Sequence, residues 1–173
     1  MSKIVADADG LIKLGKSGAL AALLSVAEVL VPEAVYEESV VTGKREMYDD
    51  AFELERKLRE GGAKVIQVVE NEQAERFLED APALGPGERA ALRVAYESEA
   101  DAILTDDRAF LGFLAGAGMR VVDPAAAIVM LAERGALSVE GAMEALGRIV
   151  VSIRSEVYEA AMEDLAGMRE ERG

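Results

Sequence analysis

The sequence predicts an α/β fold, a three-layer α/β/α arrangement in which a central parallel sheet of about five strands lies between helices, with further helices at the C-terminal end. Short apolar runs at Ile4-Val5, Val29-Leu30-Val31, Val65-Ile66, Ile103-Leu104 and Val121-Val122 recur with helix-like segments between them. That is the pattern of strands buried on both faces and joined by helical crossovers. Glycines fall where such helices should stop, at Gly61-Gly62 and at Gly116 and Gly118. At 173 residues, 51% of them hydrophobic, the chain suffices for one compact core and would be cramped as two full domains.

The elements follow in order. Lys3-Ile4-Val5-Ala6 reads as the first strand and ends at Asp7, with a helix starting around Gly10-Leu11. After the second strand, Pro32 to Glu38 opens a helix. A charged helix spans roughly Asp49 to Glu60 before the third strand. Gly85-Pro86-Gly87 opens another helix, with Glu88 in its first turn. The fourth strand runs into Asp106-Asp107, and Arg108-Ala109-Phe110 starts the next helix.

Beyond Val122, Asp123 caps and Pro124 opens a helix carrying Ile128, Val129 and Leu131 and ended by Gly135. Ser138 caps a helix with Met143, Leu146 and Ile149, and a last helix carries Val157, Met162 and Leu165 and frays into Arg169 to Gly173. The expected division is a sheet unit over 1–123 and a helical extension over 124–173 packed on it. The apolar runs are too short to span a bilayer, and Met1-Ser2-Lys3 leads straight into a strand rather than a signal peptide, so a cytoplasmic location is expected with no membrane partner.

The chain has no histidine and no cysteine. Nucleophilic triads, imidazole bases and thiolate or imidazole zinc sites are therefore excluded. Clustered carboxylates, which hold hard cations such as Mg²⁺ or Mn²⁺ through oxygen, remain as the evident chemistry. Asp7 and Asp106-Asp107 lie at carboxyl ends of strands, where an open parallel sheet exposes its ligand crevice. Each has a plain structural reading beside the functional one. Asp7 and Asp107 are placed to cap helices, and Glu88 is stabilised by a helix dipole whatever its function. Asp9 points with Asp7 only if the chain stays extended, and Gly10 suggests a turn. Among Glu33, Glu37 and Glu38, helical spacing does not single out the inward residue, although Glu38 shares a face with Val35.

The net charge of −14 repels a polyanion, which weighs against nucleic acid as a ligand unless a divalent cation inverts the sign locally. Arg89 and Arg93, four apart on the Glu88 helix, with Arg108, Lys13 and Lys16 near other loop ends, are the candidate phosphate contacts. Surface salt bridges to the many acids are their alternative role.

Four segments together resemble the PIN-domain nucleases, including the VapC-type toxins, and especially a PIN-like group with a helical C-terminal extension. They are Ile4 to Ile12, Val31 to Glu38, Leu84 to Leu92 and Ala100 to Arg108, in the family's order, and Leu131-Ala132-Glu133-Arg134-Gly135 resembles the start of the extension. The resemblance implies strand order 3-2-1-4-5 and a ribonuclease that needs Mg²⁺ or Mn²⁺ to hydrolyse single-stranded or structured RNA. Asp7 would be the principal ligand, Asp106 and Asp107 ligands direct or through water, and Glu88 and Glu38 outer ligands or orienters of the attacking water. The family often has Ser, Thr or Asn where Asp9 stands, so that extra acid either extends the metal site or perturbs it. A homodimer and an antitoxin protein partner are also implied. Two other readings are open: a PIN-fold binding protein that has lost activity, and a phosphatase of the haloacid dehalogenase type. The phosphatase is suggested by Asp7-Ala8-Asp9-Gly10, but Leu11 stands where it needs Thr or Ser.

Overall fold

Apolar strands, too short to shield themselves, gather into one sheet in the computed structural model of the protein, which describes residues 1–172. The strands are β1 (Ser2–Ala6), β2 (Ala27–Pro32), β3 (Lys64–Ile66), β4 (Ala102–Leu104) and β5 (Val121–Val122), all parallel and in the order β3-β2-β1-β4-β5. The expected fold class and order are both met. Val5 pairs with Leu30 on one side and Ile103 on the other, so the central strands are buried over both faces.

Successive side chains of a strand point to opposite faces, and this divides the core in two. Ile4, Ala6, Val29 and Val31 face a layer made by α1 (Ala8–Ser17), α2 (Leu20–Val26) and α5 (Asp49–Glu60). Val5, Leu30 and Ile103 face α6 (Glu72–Leu78), α7 (Pro86–Glu97) and α8 (Arg108–Gly116), where Phe110 is fully buried. Between β2 and α5 the chain forms α3 (Glu33–Tyr36), a wider π-helical stretch over Glu37–Thr42, and the short α4 (Gly43–Arg45).

The final helices are α9 (Pro124–Glu133), α10 (Val139–Ile149) and α11 (Ser155–Arg172). Asp123 and Ser138 cap the first two as their sequences suggest, accepting from the Ala126 and Gly141 amides at 2.9 and 3.0 Å. Ile128, Leu131, Leu146, Ile149 and Leu165 are fully buried in the same core as Ile4, Leu11 and Leu20. α11 stays helical to Arg172, past the point where fraying is expected at Arg169 to Arg172; Gly173 lies outside the described residues. α2 and α6 are helices that the periodicity of the sequence does not single out. Among the described residues no helix is long and apolar enough to cross a membrane.

Candidate active site

The chain winds outward from β1 to β2 and β3 on one side and from β4 to β5 on the other, so the order reverses between the two central strands. A crevice opens at the carboxyl ends of strands at such a switch point. There a cleft of about 320 Å³ is walled by Asp7, Asp9, Glu38, Glu88 and Asp107, with Ala8 and the Gly85-Pro86-Gly87 turn completing it. Five of the six acids singled out in the sequence meet in one place, from four separate stretches of chain.

Asp7 follows the last residue of β1 and is only 3% exposed. Its backbone amide donates to Leu104 O at 3.0 Å, which ties it to the end of β4. It caps α1 by accepting from the Gly10 amide at 2.7 Å through Oδ1, and Oδ2 accepts from the Thr105 hydroxyl. Capping and site membership thus belong to the same carboxylate. Gly10 is required for this approach, since a Cβ there would sit 2.6 Å from Leu104 O and 3.0 Å from Asp7 Oδ1. Burial pushes the Asp7 carboxyl up to about 7; the donors Thr105 and Gly10 oppose that, and the charges of Asp9 and Asp107 add to it.

Thr105, fully buried, was not legible as a site residue in the sequence. It also accepts from the Asp107 amide at 3.2 Å, and so links the two strand-end acids. The signal that could have found it is a hydroxyl in an apolar strand immediately before a pair of acids.

Asp107 caps α8, accepting from the Phe110 amide at 2.9 Å. Asp106 is elsewhere: its side chain, 5% exposed, does not wall the cleft, and Oδ2 accepts from Lys13 Nζ at 2.7 Å. Of the pair, Asp107 is the one that lines the cleft. Alternation explains it, because neighbouring residues leaving a strand point to opposite sides. Asp106 Oδ1 is buried with no hydrogen-bond partner among the described residues.

Glu38 lies in the π-helical stretch, where the wider turn carries Ser39 and Val40 into the core and leaves Glu38 at its exposed edge. An α-helical wheel cannot assign that face. A Cβ on Gly87 would come 3.0 Å from Glu38 Oε2, so the glycine lets this carboxyl approach the start of α7. Burial raises its pKa, and the charges of Glu88 and Asp9 raise it further. Glu88 turns back onto its own helix start, accepting from the Gly85 amide at 2.5 Å as half of a capping box. Asp9, in the first turn of α1, accepts from Lys13 Nζ at 2.8 Å.

Among the described residues no three acids stand close enough together to hold a metal ion as they are. The donor set nonetheless suits a hard cation: oxygen only, converging on one cleft, with burial and mutual repulsion lifting Asp7 and Glu38. The arginines of α7 are committed elsewhere. Arg93 makes a two-pronged pair with Glu75 at 2.5 and 3.1 Å, and Arg89 donates to Ala81 O at 3.1 Å. Lys16 pairs with Asp50 at 3.1 Å, while Arg108 is exposed directly after Asp107. A larger cavity of about 530 Å³ between α1, α4 and α5 shares Glu38 with the acidic cleft, and its other acids, Glu46, Asp50 and Glu53, are all exposed.

Among curated proteins none matches the chain. Residues 3–167 match the family described as PIN domain, DUF3368, a span that takes in both the sheet and the terminal helices. With that match over nearly its whole length, and with the parallel 3-2-1-4-5 sheet carrying the acids at its switch point, the chain belongs to the PIN-domain family, a nuclease fold.

Proposed function

We propose that the protein is a divalent-metal-dependent ribonuclease that hydrolyses phosphodiester bonds of single-stranded or structured RNA. The observation that carries the reading is the convergence of Asp7, Glu38, Glu88 and Asp107 on one cleft at the sheet's switch point. Asp7 and Asp107 would hold Mg²⁺ or Mn²⁺ from one wall, with Glu38 and Glu88 facing them. A cation bound there supplies charge neutralisation at the phosphate and a more acidic water.

The chain's own groups do the rest. The Gly10 amide and the Thr105 hydroxyl fix the Asp7 carboxyl, and the Phe110 amide fixes Asp107. Glu38 has no hydrogen-bond partner among the described residues, and its raised pKa suits it to take the proton of an attacking water at a carboxylate oxygen. Arg108 is the cation best placed to meet the substrate's backbone. A toxin role with an antitoxin partner, a homodimeric state and a cytoplasmic location belong to the same reading by family resemblance.

Cleavage of single-stranded RNA is expected with Mg²⁺ or Mn²⁺ and none with EDTA. Asp7→Asn, which keeps a capping oxygen, should lower kcat by about a hundredfold or more while the melting transition persists. Cleavage that survives EDTA or this substitution would sink the proposal. The net charge of −14 favours, as a second reading, a PIN-fold binding protein without activity; calorimetry with Mn²⁺ separates the two, since an inactive site should bind no metal.

A further inference from the structure

A cation stands behind the acidic wall. Lys13, one turn after Asp9 on α1, donates to Asp9 Oδ2 at 2.8 Å and to Asp106 Oδ2 at 2.7 Å, the latter 93 residues from Lys13 in sequence. Side-chain exposure rises from 5% at Asp106 through 15% at Lys13 to 43% at Asp9, so the bridge is anchored at its buried end and open at its cleft end. No other lysine or arginine among the described residues pairs with an acid of this cleft.

Resting on the metal-dependent reading above, we propose that Lys13 is a positioning residue that holds Asp9 back from the metal, leaving the cation to Asp7, Asp107, Glu38 and Glu88. The Asp9 oxygen that Lys13 holds must leave the ammonium before it can ligate a cation. Asp106 opposes any shift of Lys13 toward the cleft, because its own charge would then be left buried and unpaired. Asp9 still lines the cleft, and its partner in the ion pair stands inside the protein. The five acids of the wall thus act on a cation as four. Burial pushes the Lys13 pKa down, but the bonds to Asp106 and Asp9 outweigh it and leave it raised, so the ammonium keeps its charge.

The test is titration calorimetry with Mn²⁺ alone on the full chain. Lys13→Met is expected to tighten binding about tenfold, and in an Asp9→Asn background the same substitution should change affinity by no more than about threefold. Lys13→Arg, which keeps the charge, should retain wild-type affinity. If Lys13→Met fails to fold because Asp106 is stranded, Lys13→Met/Asp106→Asn removes both charges and carries the same comparison. Equal tightening with and without Asp9, or an unchanged Kd in Lys13→Met while the wild type binds, overturns this inference alone. No binding by any of the proteins overturns the proposed function together with it.

Discussion

Asp7 is at once a helix cap and a wall of the acidic cleft, and under the proposed function these two places make opposite demands on its charge. The unfolded side chain loses its proton near pH 3.8, whereas in the fold, burial holds the proton up to about pH 7. Between those values the folded chain binds more protons than the unfolded one, so stability falls as pH rises through the window and levels off above it. The loss is bounded at on the order of 4 kcal/mol for a shift from 3.8 to about 7. Chemical denaturation of the metal-free protein should therefore show greater stability at pH 5 than at pH 8, and Asp7→Asn should flatten that slope. A slope unchanged by the substitution would place the titration elsewhere. Much at this scale was legible: strand-end acids and cap positions mark Asp7 and Asp107. The Lys13–Asp106 pair was not, since its 93-residue separation depends on the register of β1 against β4.

At the scale of elements, α6 and α7 show why the arginines of the Glu88 helix are poor candidates for RNA contact. Arg93 reaches across to Glu75 on α6, and Arg89 binds the carbonyl that follows that helix, so both fasten two elements together. The Arg93–Glu75 pair is partly exposed, at 23% and 36%, and is worth less than about 1 kcal/mol. Arg93→Ala should lower the melting temperature by a few degrees at most and leave RNA affinity unchanged; a marked loss of affinity would return Arg93 to the substrate path. The strands and capped helices could be read from apolar runs and from Asp123, Ser138 and Gly61-Gly62. The π-helical stretch could not, because an inserted residue leaves no mark in helical periodicity. Spacing alone therefore did not single out Glu38 among Glu33, Glu37 and Glu38.

For the molecule as a whole, the expected boundary at residue 123 does not interrupt the core. Ile128, Leu146 and Leu165 share it with Leu11 and Leu20, and each is fully buried. A chain ending at Asp123 is expected to expose that face and fail to unfold cooperatively, while the full chain should melt in one transition by both calorimetry and circular dichroism. A shortened chain with a sharp transition of its own would show the sheet unit to be self-sufficient. The shared core also has a consequence for biosynthesis. The ribosome delivers the chain from its N-terminus, so every strand and every acid of the cleft is made before α9, α10 and α11, a group that packs against α1 and α2. The start of α1, which carries Asp9 beside Asp7, would thus lack its backing until α10 docks against α1, and a nascent chain is expected to gain a rigid cleft only once these helices have emerged.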